Sequence, residues 1–179
     1  MEPTVAPSSA KIATKWSLIY VLITIVLTYV VEIAKLGINS PVKYFGYIVL
    51  VVFLILAQKE HKDKLGGYIK FGDAFVTGLL YSLFAGVLSG IFVYIYLTYL
   101  SPELFAQVLD QQRQTMVDGG KLSSDQIDQA MDIAKKYGVM LGAIFTVIGY
   151  IIFGVIAGLI GAAILKKEPS TYNTPEPTE

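Results

Sequence analysis

Residues 74–100, AFVTGLLYSLFAGVLSGIFVYIYLTYL, form a run of 27 amino acids without a charged side chain. A helix of about 20 apolar residues spans the ~30 Å hydrocarbon core of a bilayer, so this run predicts a transmembrane helix. The whole chain agrees, because 54% of its 179 residues are hydrophobic and its mean hydropathy is +0.60. Both values are high for a soluble domain. We therefore predict an all-α protein that is embedded in a membrane.

Three further uncharged runs, at 16–31, 44–57 and 139–165, predict three more membrane helices. The first two runs reach spanning length only with their flanking residues. The prediction is a polytopic membrane protein with four transmembrane helices. These spans lie at about 15–36, 41–58, 74–100 and 139–165.

The four spans form one predicted transmembrane domain, residues 11–167. Residues 1–10 are predicted to be a flexible N-terminus. Residues 168–179, EPSTYNTPEPTE, are polar and rich in proline, which is typical of a disordered tail.

The lysines predict the orientation. The short loop at 58–73 carries four lysines, and short cytoplasmic loops carry an excess of Lys and Arg. With this loop inside, Lys11, Lys15, Lys166 and Lys167 are inside as well. Both termini are therefore predicted to be cytoplasmic, and the long loop before the last span is predicted to be extracytoplasmic.

A carboxylate, Asp73, stands directly before the third span, after the glycine-rich segment KLGGYIKFG. Its side chain could cap the helix by accepting a hydrogen bond from a free N–H group of the first turn. Alternatively, Asp73 could bind or relay a cation, because acids at membrane depth are candidates for function. Its position at the membrane edge favours the cap.

A second carboxylate, Glu32, lies near the other end of the first span. Lys35 follows three residues later, which is within reach on the same helical face, so we predict an ion pair. The alternative is again a functional carboxylate.

Small residues recur every four positions along the third and fourth spans. They are Gly78, Ser82, Gly86 and Gly90 in span three, and Gly142, Thr146, Tyr150, Gly154, Gly158 and Ala162 in span four, where Tyr150 is the large exception. Small residues at this spacing let two helix backbones approach closely in lipid. The pattern predicts that the two spans pack against each other. A homodimer face is the alternative.

The outer loop, residues 101–137, is predicted to form an amphipathic helical hairpin. Ser101 and Pro102 are typical of a helix start, and Gly119–Gly120 is expected to end that helix. Ser123 and Gln126 have the spacing of a capping box that opens a second helix.

Most catalytic chemistry is disfavoured by composition. The chain has one histidine, His61, and no cysteine, so multi-histidine and thiolate metal sites and cysteine nucleophiles are not expected. We predict no cofactor, no metal and no enzymatic activity. Membrane lipid, another copy of the chain or other membrane proteins are the expected partners, and nucleic acid is not.

The order of these parts resembles a known family. The entry to span three, GGYIKFGDAF (66–75), and the end of that span, YLSPE (99–103), precede a helical outer loop and a glycine-rich last span. This arrangement is similar to the bacterial membrane proteins grouped as domain of unknown function 4199, over roughly residues 10–165. The resemblance implies a Bacteroidota-type inner-membrane protein, and it implies no catalytic or binding residue.

The function predicted from the sequence is that of a non-enzymatic accessory or interaction component of the membrane. The alternative is a subunit of a small-solute or ion transporter, or of a channel, that uses Asp73 and Glu32. A polar path reached by the two carboxylates would favour transport, and a cap or an interfacial position would favour the accessory role.

Overall fold

The computed structural model describes residues 7–36 and 44–168. In these ranges the regular elements are helices: α1 (Ser9–Ile33), α2 (Phe45–Lys64), α3 (Phe71–Ile95, continued by a π-helix at Tyr96–Leu100), α4 (Pro102–Gly119) and α5 (Ser124–Leu165). The predicted all-α class is confirmed. The predictions for most of the N-terminus, the start of span two and nearly all of the tail lie outside the described residues.

Three of these helices are long and apolar enough to cross a membrane: α1, α3 with its π-helix, and α5. Helix α2 is not among them. Its apolar part covers only residues 45–57, about 20 Å at 1.5 Å per residue, and its last seven residues are QKEHKDK. The assignment of α2 as a fourth span stays a prediction.

The lysine-rich segments meet at one end of the bundle. Lys15, near the start of α1, pairs with Glu60 near the end of α2. Ile69, just before α3, forms an antiparallel bridge with Lys167, just after α5. We call this the lysine end, formed by residues 11–15, 58–73 and 166–167. It brings together the segments that the lysine pattern assigns to one side of the membrane.

The opposite end carries α4 and the first part of α5. Leu109 of α4 is buried against Ile127 and Met131 of α5. Helix α4 ends at Gly119, and Gly120 adopts the left-handed conformation with φ +60°, which glycine tolerates without steric cost. These contacts define the arm, which consists of α4 and residues 124–138 of α5.

The predicted capping box at the start of α5 is present, and the helix that it opens is longer than the hairpin. Ser123 accepts a hydrogen bond from the Gln126 N–H, and the Gln126 side chain accepts one from the Ser123 N–H. The helix then continues unbroken through residue 138, so the second helix of the hairpin and the last span are one helix. Gly138 is helical, and Phe105 of α4 packs on it, 3.0 Å from where a Cβ would lie.

The continuous α5 has 42 residues, about 63 Å at 1.5 Å per residue, which is roughly twice the hydrocarbon thickness. One rigid helix therefore connects the apolar bundle to the arm.

Candidate functional site

Small residues bring α3 and α5 together, and these two helices share the largest helix–helix interface of the described chain. A Cβ on Gly78 would lie 3.3 Å from the Gly158 Cα, and a Cβ on Gly86 would lie 2.9 Å from the Tyr150 Cβ. At this separation, backbone packs on backbone. The α3–α5 interface therefore has no space for a ligand along these positions.

The other small residues of the four-residue pattern fall into two groups, those that are buried or packed against the neighbouring helix and one that is not. Gly154 lies against Ser82, whose side chain a Cβ there would hit, and Gly90 lies against the Ala143 carbonyl. Ala162 is fully buried, at the lysine end. Gly142, in contrast, has no atom within 4 Å of its Cβ position. It lies on another face of α5, because a strict four-residue spacing drifts around a helix with 3.6 residues per turn.

Gly142 borders a groove of about 500 Å³ between α2 and α5. The lining is mainly apolar and aromatic: Tyr47, Gly142, Phe145, Thr146, Gly149, Tyr150, Ile152, Phe153 and Ile156. Neither Asp73 nor Glu32 borders it, so this groove is not the polar site predicted for the two carboxylates.

Glu32 receives two hydrogen bonds at the arm end of the bundle. The Tyr96 hydroxyl donates to Glu32 Oε2 at 2.8 Å, and the Ser101 hydroxyl donates to Glu32 Oε1 at 3.1 Å. The predicted ion pair with Lys35 is not formed among the described residues. Helix α1 ends at Ile33, and Lys35 follows with φ +52°, so the lysine no longer continues the helical face of Glu32.

The π-helix explains how Tyr96 and Ser101 reach one carboxylate. The Ser101 N–H donates to the Tyr96 carbonyl, five residues back, at 2.7 Å, which is π-helix geometry. The wider turn brings both side chains to the same side. Ser101 occupies the cap position of α4, as predicted, but its hydroxyl makes no capping hydrogen bond and donates to Glu32 instead.

Asp73 is not the cap of α3. The cap position is Lys70, and Asp73 is the third residue of the helix, with an exposed side chain. Helix α3 begins three residues earlier than predicted because Gly72 is helical rather than a joint of the loop. Asp73 still lies in the first turn, where a negative charge interacts favourably with the helix dipole.

Two hydrogen bonds connect the backbone carbonyl of Asp73, through Thr77, to α2. The Thr77 hydroxyl donates to the Asp73 carbonyl at 2.8 Å, and the same oxygen lies 2.7 Å from Nδ1 of the buried His61. Because the Thr77 proton is already donated, His61 Nδ1 must carry a proton and donate to Thr77. His61 is therefore a residue of α2 that is held against α3, and it is not a freely solvated loop residue.

Next to the hydrogen bonds of Thr77 and His61, Gln58 connects helices α2, α3 and α5. It is completely buried, and its Nε2 donates to the carbonyls of Ala74 in α3 and Gly158 in α5, both at 3.0 Å. Gly161 leaves the space for the side-chain oxygen, which has no hydrogen-bond partner among the described residues. Sequence reasoning missed Gln58, although a polar residue directly after an apolar run is a usable signal.

Glu60 forms a charge cluster at the lysine end. It pairs with Lys15 and with Lys64, the latter at 2.9 Å, and it accepts a hydrogen bond from the Trp16 indole at 2.6 Å. Partial burial opposes its ionisation, but the hydrogen bonds from Lys15, Lys64 and Trp16 outweigh burial and lower the pKa of Glu60 to about 2. The cluster attaches the start of α1 to α2. Sequence reasoning missed it because its members lie 44 and 45 residues apart along the chain.

Tyrosines fill the interior between α1, α3 and α5. Tyr20 and Tyr81 are almost completely buried, and their rings lie 6.1 Å apart. The hydroxyls of Tyr20 and Tyr150 are 2.8 Å apart. The hydroxyls of Tyr81, Ser82 and Ser89 are buried without a partner among the described residues. A buried hydroxyl without a partner costs about 1–3 kcal/mol, so this group calls for an explanation.

The helices, their apolar lengths and the lysine end define a helical protein of the membrane-spanning class. A family described as a protein of unknown function (DUF4199) matches residues 15–167. The chain belongs to this family, and the resemblance seen in the sequence is confirmed. Neither the curated proteins nor the solved structures contain a match to the chain.

Proposed function

We propose that the protein is a non-enzymatic component of a bacterial inner membrane that acts by binding another membrane protein through its arm. The observation that supports this role best is the length of α5. About half of that helix extends beyond the thickness of the hydrocarbon core, and it carries α4 at a fixed position there. A rigid extension of this kind suits contact with a neighbouring protein.

The surface of the arm supports the same role. Val117 and Ile133 are large apolar residues of the arm, 51% and 59% exposed. Exposed apolar side chains of this kind are available for contact with a partner surface. Helix α4 also carries exposed charged and amide residues, among them Gln111, Arg113 and Gln114, and such residues are typical of an interface rim.

The proposed partner is tested by co-purification from native membranes after crosslinking. We expect the wild-type chain to retain a reproducible partner and Ile133→Glu to lose it. Gln111→Glu adds the same charge at an exposed polar position of the arm and should retain the partner. If all three chains recover the same proteins, or none, the arm is not the docking surface.

The orientation belongs to the same proposal, with both termini in the cytoplasm and α2 as the fourth span. It is supported by the lysine end, because an excess of lysine is typical of the cytoplasmic side. The chain has no cysteine, so single-cysteine variants give clean labelling. An impermeant maleimide should label Lys121→Cys in intact cells and Lys62→Cys only after lysis. The reverse pattern would invert the orientation, and labelling of both would remove one span.

A second function, ion transport, is favoured by the buried Tyr81 hydroxyl, which has no partner among the described residues although the Tyr81 ring lies against Tyr20 of α1. Asp73 and Glu32 cannot share one site, because Glu32 contacts Tyr96, which lies 23 residues beyond Asp73, or about 35 Å along α3. They lie instead at opposite ends of the bundle. One carboxylate at each end of the bundle is an arrangement that suits the two entrances of a transmembrane ion path.

A further inference from the structure

We propose that the polar side chains between α1 and α3 form a path that conducts protons between Glu32 at the arm end and His61 at the lysine end. This inference rests on the second function proposed above and names the proton as its substrate. It does not depend on the docking role of the arm, because the arm and the path are different parts of the molecule.

Helix α1 supplies a polar residue at almost every turn along one side. These residues are Ser17, Tyr20, Thr24, Thr28 and Glu32. Residues three or four positions apart lie on the same helical face, and at 1.5 Å per residue neighbouring members are separated by about 4.5–6 Å along the axis. Between Lys15 and Glu32 this helix has no charged residue. The row therefore consists of four hydroxyl groups followed by a carboxylate.

Helix α3 contributes a matching set of hydroxyls: Thr77, Tyr81, Ser89 and Tyr96, all of them buried. The two helices run in the same direction, because the ring of Tyr20 contacts that of Tyr81 and the ring of Tyr29 contacts that of Tyr96. The residue numbers differ by 61 in the first pair and by 67 in the second. This offset places Thr24 at about the level of Ser89, so the hydroxyls of the two helices alternate along the interface.

The hydroxyls have free hydrogen-bonding capacity in the middle of the bundle. Tyr81 and Ser89 have buried hydroxyls without a partner among the described residues. Thr24 and Thr28 donate to carbonyls of their own helix, which leaves their oxygens able to accept. Water both donates and accepts, and it commonly satisfies buried polar groups of this kind. Bound water would join these hydroxyls into one hydrogen-bonded chain.

Ionisable groups stand at both ends of this chain. The Glu32 carboxylate is the proton acceptor at the arm end, where Tyr96 and Ser101 hold it in place. At the lysine end, Nδ1 of His61 donates to Thr77, so Nε2 is the nitrogen that can take up and release a proton. Histidine and carboxylate groups at the ends of polar chains are the recurring components of proton relays in membranes.

The proposed step conserves all atoms and charges. A proton taken up at Nε2 of His61 lets Nδ1 release its own proton to the Thr77 oxygen. Thr77 turns its hydroxyl from the Asp73 carbonyl towards the path and releases the proton that it held, and each following hydroxyl or water does the same until one proton reaches the Glu32 carboxylate. One proton therefore leaves at Glu32 for each one that enters at His61. A metal ion would need a shell of several oxygen ligands, and the described residues contain no cluster of three metal-binding side chains.

The test is proton flux through the purified full-length protein in liposomes that contain a pH-sensitive dye. A potassium gradient with valinomycin supplies the driving potential. We expect the wild-type protein to acidify the lumen faster than protein-free liposomes. Glu32→Gln and Tyr81→Phe should each lower the rate at least tenfold, while Tyr99→Phe, at a residue 72% exposed, should leave it unchanged. Size-exclusion profiles and circular dichroism compare the folding of the variants.

The alternative outcomes separate the two proposals. A wild-type rate equal to that of protein-free liposomes, or an unchanged rate in Tyr81→Phe, overturns the proton path. Sodium or potassium flux without proton flux, measured with ion-sensitive dyes, also overturns it but retains the transport function. If no ion crosses, both the path and the transport function are wrong.

Discussion

Helix α3 packs against α5 and against α1 in two different ways. Towards α5 it presents Gly78, Gly86 and Gly90, and backbone approaches backbone. Towards α1 it presents Tyr81 and Tyr96, and aromatic rings and hydroxyls fill a wider space. A glycine interface is close and cannot admit a ligand, whereas an interface of large polar side chains keeps hydrogen-bonding groups inside the membrane. The α3–α5 interface is suited to stabilising the bundle, and the α1–α3 interface is where the proposed proton path lies.

The strongest test of this comparison is whether the glycine interface forms within one chain. A Cβ on Gly86 would lie 2.9 Å from the Tyr150 Cβ, and a small outward shift of the two helices gives the separation of about 3.5–4.5 Å in a disulfide. The double variant Gly86→Cys/Tyr150→Cys should therefore form a disulfide within the monomer under mild oxidation, seen as a mobility shift on non-reducing gels. Bands at twice the monomer mass from Gly86→Cys alone, without the intramolecular product, would show a dimer interface.

The next largest effect is expected from filling the glycine interface. Gly86→Leu should lower the free energy of unfolding by roughly 1–3 kcal/mol, because the added side chain overpacks a tight contact. Gly142→Leu is the matched control, since nothing lies within 4 Å of its Cβ position, and lipid accepts leucine readily. Thermal unfolding in detergent measures both. Equal destabilisation of the two variants would contradict the difference between the two faces of α5.

Acid should weaken the attachment of α1 before it affects the contact between α3 and α5. The pKa of Glu60 is lowered to about 2 in the folded protein, from 4.5. A lowered pKa means that the stabilisation is complete above the unfolded pKa, declines below about pH 4.5 and is lost near pH 2. Its size is on the order of 1–3 kcal/mol. The destabilisation caused by Glu60→Gln should therefore be large at pH 7 and small at pH 2. An effect of the same size at both pH values would show that the charge of Glu60 does not contribute to the stability of the folded protein.

The smallest effect is expected from single hydroxyls. Tyr20→Phe should cost about 1 kcal/mol, because it removes the partner of the Tyr150 hydroxyl at the centre of the bundle. Ser82→Ala removes a hydroxyl without a partner among the described residues, in the glycine interface, and should be neutral or stabilising. The comparison is made by thermal unfolding under identical detergent conditions. A larger loss for Ser82→Ala would reverse the roles of the two interfaces.

Sequence alone determined the parts that depend on neighbouring residues. The uncharged run of α3, the stop at Gly120 and the capping box at Ser123 and Gln126 are local features, and each is found in the structure. The apolar content indicated a membrane protein, and the segment at 66–75 indicated the family. Such signals can be read from a sequence because an uncharged run, a left-handed glycine or a cap involves residues only a few positions apart.

Tertiary structure alone decided which distant residues meet. Glu32 was expected to pair with Lys35, three residues away, but it binds Tyr96 and Ser101, which are 64 and 69 residues away. Glu60 joins Trp16 and Lys15 in the same manner. These pairs depend on how far each helix rotates and slides against its neighbour, and a rotation of one residue, about 100°, would change every partner. That rotation is set by the packing of the whole bundle, so no short stretch of sequence contains it.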